Sequence, residues 1–115
     1  MLMPVNSFHV PLADAVASIP TTEGRLFQEM FAHGTLSVEI YKPEKQDFQQ
    51  PHTRDEGYIV VSGHGFYVNE NVRVAFGPGD FLFAKAGARH RFEAFTDDFV
   101  TWVIFYGPEG GEIGG

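Results

Sequence analysis

Gln50, His52 and Glu56 stand at spacings of two and four, just ahead of the apolar run Tyr58-Ile-Val-Val61 that ends at Ser62-Gly63. On an extended chain alternate side chains share a face, so an amide oxygen, an imidazole and a carboxylate can all point one way. A second imidazole, His90, follows the turn-forming stretch Lys85-Ala-Gly-Ala-Arg89. Two neutral imidazoles and one carboxylate suit a divalent transition ion (Fe, Mn, Zn, Ni or Co) with positions left open for substrate, and Gln50 adds a neutral fourth donor. Such an ion would also offset the cost of burying the Glu56 carboxylate; without it Glu56 needs a partner such as Arg54, or a proton. A His and a Glu four residues apart also make an ordinary surface pair, so the cluster has to be judged with its surroundings.

Three further residues are candidates for catalysis or substrate contact. Arg54 lies two residues from both His52 and Glu56. A regular strand aims its planar fork inward, onto a substrate carboxylate, whereas a bulge turns it to solvent. Tyr41 and Tyr58 can place a hydroxyl in a pocket, or simply fill a core. His33 and His64 flank glycines in expected turns and read as exposed.

These residues need a scaffold, and composition points to short strands. The chain has 115 residues, 43% of them hydrophobic, with 12 Phe, 13 Gly and 7 Pro, enough for one domain with its own core. That domain is expected to span 1–115, with a core at about 24–106 and a mobile tail at 107–115. There is no Cys, which removes disulfides, thiolate ligands and a Cys nucleophile. The net charge of −7, with no basic run, gives nucleic acid no electrostatic foothold. No apolar stretch approaches the roughly 20 residues that span a bilayer, so a cytoplasmic protein is expected.

Along the chain, Pro11 to Ser18 reads as a short helical turn, and Arg25–Ala32 and Thr35–Lys42, parted by His33-Gly34, as two strands or one kinked strand. In the second, Leu36, Val38 and Ile40 alternate with Ser37, Glu39 and Tyr41, the period of a half-buried strand. Phe66–Asn69 and Val72–Phe76 form a hairpin, with further strands at Phe81–Ala84, His90–Phe95 and Phe99–Tyr106. Strand-turn units recurring this closely predict an all-β sandwich or barrel, lined by Phe81, Phe83, Phe92 and Phe95. The last strand is apolar on both faces, so its outer face needs cover from a second sheet or a partner subunit, and a homodimer is expected.

With these elements in place, the chain resembles the cupin superfamily, small jelly-roll β-barrels. His52, Glu56 and Gly63 match the second His, the Glu and the closing Gly of the first cupin motif. Gly79, Gly87 and His90 match the second motif, and the residues between, His64 to Pro78, match the short spacing typical of the family. The chain departs from the pattern at Glu44 (Gly), Gln50 (the first His), Lys85 (Pro) and Ala94 (Asn). The resemblance covers residues 33 to 106 and implies a divalent metal held by His52, Glu56 and His90, with Gln50 where a fourth ligand belongs. It further implies a small-molecule ligand and a metal-dependent oxidoreductase or isomerase; a non-catalytic small-molecule or sugar-binding module is the alternative.

Overall fold

The structure is a computed structural model that describes residues 8–47 and 49–114. The described residues form one helix, α1 (Leu12–Ala17), and eight strands: β1 (Phe27–His33), β2 (Leu36–Tyr41), β3 (Asp55–Ser62), β4 (Gly65–Asn69), β5 (Val72–Phe76), β6 (Phe81–Ala84), β7 (His90–Glu93) and β8 (Val100–Tyr106). Two antiparallel sheets face each other, one of five strands in the order β1-β2-β8-β3-β6 and one of three in the order β5-β4-β7. This is the expected all-β jelly roll with a short N-terminal helix.

Between the sheets, Tyr58 and Val60 of β3 and Val103 of β8 pack against Tyr67 of β4, Phe76 of β5 and Phe92 of β7, with Phe99 closing one end. The rings meet mostly edge to face, as in the 4.9 Å contact of Tyr58 with Phe92 at 82°. A second cluster lies on the outside of the larger sheet. There α1 sets its buried Ala15 against Met30, Ile40 and Val100, with Trp102 alongside. The outer face of the last strand is therefore covered over Val100 and Trp102 by the chain's own helix.

The alternation in β2 is present, but its faces are the reverse of the simplest expectation. Ile40 is fully buried outside, under α1, while Glu39 and Tyr41 point into the space between the sheets. Alternation gives a period, and here both faces of the strand are covered. In β6 the expected barrel lining is corrected: Phe81 and Phe83 face out, 63% and 41% exposed, whereas Phe92 is buried and Phe95 is packed against the inner cluster.

Two turns show why glycine is needed. Gly63 has φ +89°, and a Cβ there would lie 2.5 Å from the Cα of Phe99. Gly79 has φ +85° with nothing within 4 Å, so only its backbone conformation calls for glycine.

Candidate metal centre

Glu56 is the second residue of β3, opposite Phe105 of β8 and Ala84 of β6. Pleating places it on the inward face with Tyr58 and Val60. His90 opens β7 in the facing sheet, opposite Asn69 of β4, and points inward like Phe92. His52 comes from the irregular segment before β3, so the ligand types do not all share one strand. The Gly87 N–H donates to the His52 carbonyl at 2.8 Å and ties that segment to the turn that delivers His90.

The three side chains converge. Their candidate ligand atoms all lie within 4.8 Å of one another. Glu56 Oε1 stands 2.6 Å from His90 Nε2 and 3.9 Å from His52 Nε2. The Glu56 and His90 side chains are each 1% exposed, and that of His52 is 38% exposed. His90 Nδ1 is 2.9 Å from the Ala88 carbonyl, which accepts a hydrogen bond and leaves Nε2 as the nitrogen with the lone pair. That lone pair faces a carboxylate oxygen, and the close approach lacks hydrogen-bond angles. Among the described residues, neither oxygen of Glu56 nor Nε2 of His90 has a hydrogen-bond partner.

Buried polar atoms left this way are costly, so the arrangement calls for positive charge between them. A proton is one solution. Burial works against the imidazolium, but the Glu56 carboxylate, the Ala88 carbonyl and the Asp47 charge together outweigh it and raise the His90 pKa. A divalent ion is the other, and the donor set of two imidazoles and a carboxylate fits it. The Ala88 carbonyl, bonded to Nδ1, would hold the His90 ring in the orientation a ligating imidazole needs.

Beside His52 opens a cavity of about 600 Å³. Its floor is the inner face of β1, β2 and β8, and its wall is made by Pro43, Gln46, Gln49, Gln50 and His52. The smaller sheet contributes no described residue to the lining. His52 is the ligand candidate that belongs to both the cluster and the cavity. Gln50 is exposed and lines the same cavity.

Asp47, which its polar stretch of sequence did not single out, organises that wall. Its carboxylate accepts hydrogen bonds from the Tyr41 hydroxyl (2.6 Å), the Gln49 N–H (3.1 Å), the Gln49 side-chain amide (3.0 Å) and the Phe92 N–H (2.8 Å). Gln49 Oε1 in turn accepts from the Tyr58 hydroxyl at 3.0 Å. The local sign in the sequence was an Asp two residues ahead of a residue whose N–H it can cap; the links to Tyr41 and Phe92 are not local.

The remaining candidates are placed as follows. Tyr41 lines the cavity with its hydroxyl directed to Asp47, and burial, then the bond to Asp47 and its charge, push its pKa well above the ordinary value. Tyr58 is fully buried and is not part of the cavity lining; burial and then the Glu56 charge raise its pKa. Arg54 donates to the carbonyls of Thr35 (2.6 Å) and Gly107 (3.4 Å), outside the cavity lining. Glu39 sits on the cavity floor and was not anticipated. Burial, then the neighbouring charges of Glu29 and Glu56, push its pKa up to about 7.

A relative in Streptomyces coelicolor, itself described as uncharacterised, is 33% identical over 76 residues, covering 64% of this chain and 72% of its own. Two solved structures share the fold at lower identity. A cupin-2 domain protein from Shewanella frigidimarina matches with a TM-score of 0.67 at 15% identity, over 85% of this chain and 94% of its own. KdgF from a Halomonas species matches with a TM-score of 0.63 at 20% identity, over 72% and 80%. The family described as the cupin domain matches residues 37–106, the span that carries His52, Glu56, His90 and the parts of the cavity floor in β2 and β8, and the chain belongs to that family.

Proposed function

We propose that this protein is a metal-dependent enzyme acting on a small organic molecule, with a divalent ion held by His52, Glu56 and His90. The observation that carries the reading is the pair of buried, unpartnered acceptors, Glu56 and His90 Nε2, facing each other 2.6 Å apart. When bound, the ion supplies Lewis acidity to a substrate oxygen. The chain's own residues do the rest. The apolar side chains of Leu26, Phe27, Val103 and Phe105 would exclude water from the substrate's body, and His52 belongs both to that cavity and to the cluster that would hold the ion. Tyr41 lies on the cavity floor, held there protonated by the bond its hydroxyl donates to Asp47. The Gln50 amide lies on the same wall, within the chemistry of a fourth donor.

Metal analysis of protein purified without added metal tests this reading. Near-stoichiometric transition metal is expected, and less than about 0.1 equivalent after reloading would sink it, because a site of this donor type binds tightly. A thermal-shift screen of small organic molecules separates the two functional readings. Stabilisation together with turnover supports an enzyme, and stabilisation without turnover supports a binding module.

We also propose a homodimer. Ile59 pairs with Phe81, and Phe83 lies two residues further along the edge strand β6, so three exposed apolar side chains share one outer patch. A patch of this kind favours a second copy of the chain. Light scattering at micromolar concentration should give twice 12.8 kDa, and the monomer mass would contradict the proposal.

A further inference from the structure

Glu39 is the one carboxylate in the described lining of the cavity. It points inward from the middle of β2, between Glu29 of β1 and Val103 of β8. One inward row toward the metal ligands stands Phe105, opposite Ser37; one row the other way stands Tyr41, opposite Phe27. Alternate residues on a strand are about 6.6 Å apart, so the carboxylate lies between aromatic rows. No Lys or Arg is among the described lining residues. Arg54 is bonded to backbone carbonyls elsewhere, and Arg25 pairs with Glu23 at 3.4 Å. The Arg25 guanidinium carbon lies 5.6 Å from the centroid of the Phe27 ring, so a cation already sits against that wall.

An anion in the cavity would meet Glu39, and no Lys or Arg in the described lining would answer its charge. An organic cation would meet the carboxylate and three aromatic rings, the combination that recognises ammonium groups. Burial, followed by the charges of Glu29 and Glu56, is what raises the Glu39 pKa to about 7, as expected of a carboxylate short of a cationic neighbour.

We propose that the cavity binds an organic cation, an ammonium or quaternary ammonium group on an apolar body, with Glu39 as its counter-charge and Phe27, Tyr41 and Phe105 as its aromatic wall. This names the ligand class of the substrate cavity and rests on the functional reading above only for the ligand's turnover, not for its binding.

Calorimetry on the full chain tests the proposal at about pH 8, where Glu39 is ionised, with the metal content of the same sample measured. The probes are choline, its uncharged carbon isostere neohexyl alcohol, and tert-butylacetic acid as the anion. Choline is expected to bind at least about tenfold more tightly than the alcohol, and the anion to be weakest. Glu39→Gln keeps the side chain's shape and removes its charge. It should bring choline to the alcohol's level while leaving the alcohol's binding and the metal content unchanged. Phe27→Leu, at a half-exposed ring whose loss does not threaten the fold, should weaken choline several-fold and the alcohol much less. Choline no tighter than the alcohol, the anion tightest, or Glu39→Gln without effect would overturn the proposal. A protein that takes up no metal on reloading and still prefers choline would overturn the metal reading alone, and a metal-loaded protein with no such preference would overturn this one alone.

Discussion

At the scale of single residues, charge decides how the site behaves. Glu56 is buried against His90 with neither oxygen in a hydrogen bond among the described residues, so its charge has to be answered by an ion or a proton. Glu56→Gln removes that charge at nearly constant volume and should abolish metal retention, read as metal per chain after dialysis. Glu39 gives the site a pH dependence of known sign. Its pKa in the fold is raised to about 7 from an ordinary 4.5. The stability it contributes is therefore complete below about pH 4.5 and lost as pH rises through about 7. Glu39→Gln should raise stability at pH 8 by about 1 kcal/mol after allowing for solvent screening, and leave it little changed at pH 4. Equal denaturant midpoints at pH 8 would contradict this. Asp55 has the opposite sign. Hydrogen bonds from the Glu112 and Ala86 N–H groups hold its pKa below the ordinary value, so its contribution is present above about pH 4 and fades as pH falls below that. Through Asp55, and through the bond from the Gly110 N–H to the Thr53 carbonyl at 2.7 Å, residues of the tail are tied to the segment between His52 and Glu56.

At the scale of elements, the turns are where local chemistry and fold agree most closely. Gly63→Ala adds a Cβ that meets the Phe99 backbone at 2.5 Å on top of an unfavourable φ, and should cost about 3 kcal/mol or more. Gly79→Ala meets only the φ penalty and should cost about 1 kcal/mol. Ala94 holds a φ of +50°, at the position where the family pattern carries Asn, a residue that tolerates this conformation. Ala94→Gly should therefore stabilise by up to about 1 kcal/mol, read as a higher Tm. Turns of this kind were legible because their requirement is local. Strand positions were legible as well, from alternation and turn residues. Which side of β2 faces the barrel was not, since Ile40 is buried under α1 and Glu39 and Tyr41 look into the cavity. For the same reason Phe81 and Phe83 could not be told from core phenylalanines: period two fixes relative faces, and only tertiary packing assigns them.

At the scale of the whole molecule, the cavity arises from unequal sheets. Five strands face three, and the inner surface of β1, β2 and β8 extends to a wall made by Pro43, Gln46, Gln49, Gln50 and His52. The sequence supplied His52, Glu56 and His90, since their types and spacing follow the family's motifs. It could not supply Glu39 or Asp47, whose roles depend on which strands close around them. The outer face follows the same logic. The helix covers Val100 and Trp102, and Ile59, Phe81 and Phe83 are left as the patch on which a dimer would form. The central claim is that His52, Glu56 and His90, drawn from a loop and two sheets, hold one divalent ion. Its most direct test is transition-metal content per chain for the unaltered protein and for His90→Ala, both confirmed as folded by circular dichroism. The arrangement predicts close to one ion per chain in the first and almost none in the second. A folded, unaltered protein that takes up no transition metal on reloading would contradict it.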